Sequence, residues 1–247
     1  MPRRYSPYAS SFSFGPGPLS TAMKALIGVN VVIFLAQTVV QPLTETFGLI
    51  PADVLGGLQI WRLASYMFLH ANLTHILFNM LGLWMFGTEL ERQWGTQYFL
   101  KFYFVTGVGA GILTVLFSLL PFEVANQLYR LNVIGASGAI YGLLLAYGLR
   151  FPDRPIYLYF LFPIPTKYFV LIMGVIAFYG SIGGAGGVAN ATHLGGLLVA
   201  YLLLKGARVH PVGELKYRYL KWKIDRARKK FGVYSGGRTD HWDRRVH

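Results

Sequence analysis

Six apolar stretches constrain this chain more than any other feature, because runs approaching ~20 residues are what a hydrocarbon core demands of a crossing helix. They cover Met23 to Val40, His75 to Gly87, Tyr98 to Leu120, Leu131 to Leu149, Tyr157 to Tyr179 and Ala191 to Leu204. The second and last are short by strict count, which polar residues facing a protein interior would explain. Only 13% of residues are charged and 54% are hydrophobic, a balance that argues against a soluble globular domain. The expected fold is all-α, a polytopic membrane bundle of six transmembrane helices.

Charge sets the orientation. With a cytoplasmic N-terminus, 21 of the 23 Lys and Arg fall on the cytoplasmic side and only Arg62 and Arg130 lie outside. Both termini are therefore expected in the cytoplasm, with the body in the plasma or inner membrane of a cell. The chain has no cysteine, which excludes disulfides, thiolate chemistry and Cys-based metal sites. Cysteines introduced at Ser6 and Ser235 should resist an impermeant thiol reagent applied from outside; labelling there would reverse the topology. No small-residue cleavage site precedes the first apolar run, which reads as a retained anchor rather than a cleaved signal. The acid-free, Arg- and Ser-containing start leaves an organelle transit segment as the alternative.

Three regions follow from composition. Residues 1–19 are rich in Pro, Gly and Ser and are expected to form a disordered cytoplasmic tail. Residues 20–206 hold the bundle. Its first external loop, Gln41 to Thr74, is too apolar for a solvated linker, and Trp61 beside a snorkelling Arg62 suits the interface, so this loop is expected to dip into the outer leaflet. Residues 207–247 are a basic cytoplasmic tail; from Lys205 onward there are thirteen Lys or Arg against four acids. Within it Tyr217, Leu220, Ile224, Ala227 and Phe231 recur at helical spacing, describing an amphipathic helix suited to anionic lipid headgroups. No motif supports nucleic-acid binding.

Polar groups inside membrane helices need partners or a function. Four stand out: His75, Asn79, Ser137 and His193. On the topology above, all lie in the outer part of the bilayer, delivered to one layer by three helices. His75 and Asn79 share a helix face, as do Ser137 and Tyr141. Gly138 and Gly142 beside Ser137, and His193, Gly196 and Ala200 on the last helix, form small-residue stripes of the kind that let helix backbones approach closely. Such an approach is what a serine hydroxyl and an imidazole on separate helices need to come within hydrogen-bonding reach. Each residue also has a plainer reading. A lone membrane Ser bonds back to its own helix, the glycines serve packing, Asn79 joins helices, and the histidines form a polar cluster or proton path. "GASGA" is not a nucleophile elbow, since Ala139 holds the last glycine position and no strand precedes it. No H-E-x-x-H pair exists, and neither metal nor cofactor is expected.

At these residues the sequence resembles the rhomboid family of intramembrane serine proteases. The matching elements are Trp61-Arg62, "FLHANLTHILFNM" with His75 and Asn79, "ELERQWG" with Glu91 and Gly95, "GASGAIYG" around Ser137 and "ATHLGGLLVA" around His193, in family order across roughly residues 20 to 206. The resemblance implies a rhomboid-like six-helix bundle with an interfacial first external loop, and a Ser137–His193 dyad that cleaves transmembrane protein substrates. It further implies that His75, Asn79 and the Ser137 backbone amide stabilise the oxyanion, that Tyr141 orients the base by ring stacking, and that Phe78 belongs to a lateral gate. Gly135, Gly138, Gly142 and Gly196 would pack the helices at the site. Ala200 departs from the family, standing where many relatives have glycine. Because hydrolysis consumes water, Ser137 must face a wet cavity, and the glycine-rich residues 180–190 are expected to cap it. The rival readings are a non-proteolytic, derlin-type rhomboid-like factor that binds membrane proteins, and a small transporter.

Overall fold

The computed structural model describes residues 16–121, 123–158, 161–182, 187–208 and 219–226. Contacts divide the chain into two units, residues 1–204 and 205–247. In the first, α1 (Thr21–Val39) opens on Ser20, whose hydroxyl accepts from the Met23 amide at 3.0 Å, satisfying one of the donors every helix start leaves open.

The external loop is a chain of short turns: α2 (Leu43–Phe47), α3 (Pro51–Gly56), α4 (Arg62–Ser65) and a 3₁₀ turn at Tyr66–Phe68. Arg62 knots them together. Only 5% exposed, its guanidinium donates to the carbonyls of Glu45 (2.7 Å) and Gly48 (2.6 Å) and to the Gln59 side chain (2.6 Å), and pairs with Asp53 at 3.0 Å. This corrects the expectation of a snorkelling cation: inward-facing carbonyls offer the planar, five-donor group fixed acceptors that an interface would not. Trp61 stays half exposed.

The second apolar run extends beyond both expected ends. α5 (Leu73–Gly82), a π-helical turn (Leu83–Gly87) and α6 (Thr88–Trp94) follow one another without a break. Gly95, at φ +78°, turns the chain into α7 (Thr96–Phe117), a conformation that side chains with a Cβ resist. Buried Glu91 accepts from the hydroxyls of Ser20 at 2.6 Å and Thr96 at 2.7 Å, tying α1, α6 and α7 together at the end of the bundle opposite the external loop.

After α8 (Glu123–Arg130), residues 131–136 run outside any helix along the external loop. Leu49 and Val133 exchange two backbone bonds of 2.9 Å, Asn132 donates to the Thr44 carbonyl at 2.8 Å, and the Gly135 amide donates to the Tyr66 carbonyl at 2.9 Å. Only then does α9 (Ser137–Arg150) begin. The expected start at Leu131 is thus corrected, since Gly135 at φ +123° cannot be helical.

The fifth run is also corrected. Residues expected to begin a crossing at Tyr157 instead form a hairpin, β1 (Pro155–Leu158) with β2 (Phe162–Pro165), in the register Ile156↔Ile164, so the fold is not wholly α. Pro155, Pro163 and Pro165 lack the amide hydrogens a helix would use. α10 (Thr166–Ile182) and α11 (Gly187–Arg208) complete the unit. The expected cap falls partly on residues 183–186, outside the described residues.

Thr21–Val39 and Thr96–Phe117 are long and apolar enough to cross a membrane, and Thr166–Ser181 is a shorter apolar helix. Phe99, Phe102 and Tyr103 of α7 and Leu143 and Leu144 of α9 belong to one buried cluster with Met23, Tyr66 and Leu83. In the second unit, residues 219–226 are helical, with Tyr219, Leu220, Trp222 and Ile224 exposed and the Arg226 guanidinium 5.2 Å from the Trp222 ring centre. The other positions of the expected amphipathic stripe, Tyr217, Ala227 and Phe231, lie outside the described residues.

Candidate active site

Three helix starts converge at the external-loop end of the bundle. His75 lies in the first turn of α5, Ser137 opens α9, and His193 lies in the second turn of α11. The side chain of Asn72 accepts from the His75 amide at 2.8 Å, so a local cap fixes where α5 begins and where His75 stands. At α9, Gly135 reverses the chain and places Ser137 at the first helical position. Its amide belongs to the group of N–H donors that have no acceptor within the helix, at the positive end of the helix dipole. The serine therefore sits at a helix mouth and not in a helix interior.

The Ser137 hydroxyl lies 2.8 Å from Nε2 of His193. The His193 ring stacks on Tyr141, with centroids 4.2 Å apart and planes 5° from parallel. Nδ1 of His193 is buried and has no hydrogen-bond partner among the described residues, and the ring's aromatic contact is the stack on Tyr141. Close backbone packing brings the two helices together: a Cβ added at Gly196 would collide with the Gly138 carbonyl oxygen. One turn along, a Cβ at Gly142 would strike Thr106 and come 3.2 Å from the Ala200 methyl. Gly142 thus leaves space that Thr106 fills, with Ala200 packed alongside.

His75 approaches from a third side. A Cβ at Gly135 would lie 2.7 Å from His75 Nε2 and 3.7 Å from the Ser137 hydroxyl, so both polar atoms flank the same glycine. Nδ1 of His75 accepts from the Ala71 amide at 3.3 Å, which assigns the ring proton to Nε2, on the serine side. Asn79 is less direct: its amide donates back to the His75 carbonyl at 2.9 Å, holding it against its own helix. Phe78, on the same helix, is 66% exposed.

Several neighbours had no spacing signal in the sequence. Tyr66, fully buried, donates its hydroxyl to the Gly107 carbonyl at 2.7 Å while its own carbonyl holds Gly135. The Thr114 and Thr192 hydroxyls meet at 2.8 Å, pinning α11 to α7 one residue before His193. His70 packs edge-on to His75 with ring centres 5.1 Å apart, and borders a cavity of about 410 Å³ that Phe34, Gln37, Thr44 and Ile134 also line. Burial first, then the neighbouring His75, push the His70 imidazole down to about 4, so it is neutral at physiological pH.

A model of the rhomboid domain matches residues 57–207. A rhomboid protease GlpG of Yersinia pestis (strain Pestoides F) is 33% identical over 150 residues, covering 59% of this chain and 48% of the relative. A rhomboid protease GlpG of Yersinia enterocolitica is 29% identical over 207 residues, covering 82% and 67%. A rhomboid protease GluP of Bacillus subtilis is 31% identical over 182 residues, covering 72% and 32%. The chain thus spans about half the length of the first of these relatives. The domain match takes in more than half the chain and includes Ser137, His193, His75 and Asn79, and the chain belongs to the rhomboid family of polytopic membrane proteins.

Proposed function

We propose that this protein is an intramembrane serine endopeptidase that hydrolyses peptide bonds of transmembrane protein substrates near the outer ends of their helices. The observation that carries the reading is the 2.8 Å contact between the Ser137 hydroxyl and the His193 imidazole, two groups delivered by separate helices. Nε2 of His193 takes the hydroxyl proton as the Ser137 oxygen attacks the scissile carbonyl, then returns it to the leaving amine. Water, activated by the same nitrogen, hydrolyses the acyl-enzyme. The Ser137 amide and His75 Nε2–H face the developing oxyanion. Asn79 keeps one amide hydrogen to offer, because its bond to the His75 carbonyl uses only one of two.

On this reading the long helical segments are six crossings, both termini are cytoplasmic, and the basic tail rests on anionic lipid. A fluorophosphonate probe applied to the protein in bilayers should label Ser137 and lose that label in Ser137→Ala. A folded chain that never reacts would favour the derlin-type reading. Tyr141 supplies a second test, because stacking needs a ring but no hydroxyl. Tyr141→Phe should keep most of the turnover and Tyr141→Ala should lose about tenfold, the scale of one aromatic contact, as read from cleavage of a reporter membrane protein.

A further inference from the structure

The hairpin between α9 and α10 has no part in the chemistry above, yet it is firmly built. The Arg154 carbonyl accepts from both the Thr166 amide (2.9 Å) and the Thr166 hydroxyl (2.7 Å), and the Lys167 amide donates to the Pro152 carbonyl at 3.0 Å. Arg154 reaches Glu89 at 3.4 Å and lies 4.2 Å from the Phe151 ring centre, while Ile156 is buried. The hairpin is therefore fixed to the end of the bundle opposite the site. Its outer side chains are nevertheless apolar and open: Tyr157 is 50% exposed, Leu161 74% and Phe162 63%.

The strand edges narrow down what can cover it. The Arg154–Thr166 bond puts positions 155, 157, 163 and 165 at the non-hydrogen-bonded places of the ladder, where amides point outward. Three of those four are proline, so neither edge offers a run of donors to an added strand. What remains is an apolar surface bordered by exposed cations. Exposed Arg150, Arg154 and Lys167 stand at its base beside the start of an apolar helix, Lys167 sharing its charge with Asp153 at 2.7 Å and Arg150 donating through Nε to Gln93 at 2.9 Å, and Arg92 and Lys101 are exposed on α6 and α7. Apolar and aromatic side chains above a basic collar match the boundary between acyl chains and anionic headgroups.

We infer that the β1–β2 hairpin is an interfacial anchor whose occupant is the anionic leaflet: Tyr157, Leu161 and Phe162 enter the headgroup–acyl boundary while Arg150 and Lys167 hold phosphate-bearing headgroups. The inference rests on the membrane placement of the bundle but not on the proposed peptidase activity, and its test reads lipid contact alone. Because the chain has no cysteine, Phe162→Cys gives a single attachment point for a bimane fluorophore in the full-length protein. The labelled protein is reconstituted in phosphatidylcholine vesicles containing phosphatidylglycerol, with a nitroxide near the top of the acyl chain on one lipid or the other. Strong quenching by both is expected, stronger by phosphatidylglycerol. That preference should fall about fivefold for each cation removed in Arg150→Gln and Lys167→Gln. Fluorescence quenched by aqueous iodide and not by nitroxide lipid overturns the anchor and leaves the surface to a soluble partner. Equal quenching by the two lipids overturns the anionic assignment. A chain that binds lipid as expected but cleaves nothing leaves this inference standing and the peptidase reading fallen.

Discussion

Ser137→Ala should abolish cleavage of a reporter single-pass membrane protein, with a loss of about 10⁴-fold or more, and His193→Ala should do the same. On the proposed reading the Ser137 hydroxyl, the one hydroxyl paired with the ring among the described residues, is the nucleophile, so its removal leaves nothing to form the acyl-enzyme. Removing His193 leaves a hydroxyl that cannot shed its proton at neutral pH. On the proposed reading the two act as one unit across 2.8 Å, and the double variant should be no worse than either single one. Folding should survive, since the helices meet through Gly138 and Gly196 rather than through this bond. Ser137→Ala removes a part-buried hydrogen bond, at a cost of about 0.5–1.5 kcal/mol, small enough to follow as a lowered melting temperature. Turnover persisting in either single variant, in protein that melts cooperatively, would remove the dyad from consideration.

The legibility of this site in the sequence has a physical origin. Lipid forbids unpaired polar groups, so each polar side chain in an apolar run is a signal, and the order of loops fixes its depth. That logic places residues 75, 137 and 193 in one layer, and the helical period places residues 137 and 141 on one face. The same logic gives out where apolar count stands in for helix. Residues 131–136 and the strands at 155–158 and 162–165 are as apolar as a crossing, yet the first follows the loop edge through Leu49 and Tyr66 and the strands pair as a proline-punctuated hairpin. The prolines are legible in the sequence, but the hydropathy sum outweighs them. The backbone reversal at Gly135 was not legible, because glycine at that position serves packing or conformation equally well until its neighbours are known. Arg62 is ambiguous in the sequence for a related reason: an arginine beside a tryptophan looks interfacial, and only the folded loop gathers three carbonyl-type oxygens around it. Tyr66, Thr114 and Thr192 lie in contacts between distant segments, which no local period announces.

The contact between Gly196 and Gly138 converts helix packing into a second large effect. A Cβ at residue 196 has no free direction, because what it meets is the Gly138 carbonyl, one residue after the serine, and that backbone cannot rotate away as a long side chain could. Gly196→Ala must therefore push α11 off α9 or tilt it, and either movement carries His193 away from Ser137. A displacement near 1 Å at a reacting pair costs about 10²-fold in rate, and the forced overpacking costs about 1–3 kcal/mol of stability. Gly174→Ala is the matched control: its new methyl would meet only the far end of Leu197 at 3.7 Å, an ordinary contact, so turnover and melting temperature should both stay near those of the parent. The separation between the two variants is the measurement that matters, taken on reporter cleavage and on fluorophosphonate labelling rate together. If Gly196→Ala turns over at the parent rate while Gly174→Ala does too, the approach of the two helix backbones does not set the distance between hydroxyl and imidazole, and some other contact, with Thr114–Thr192 first in line, must hold α11 in place.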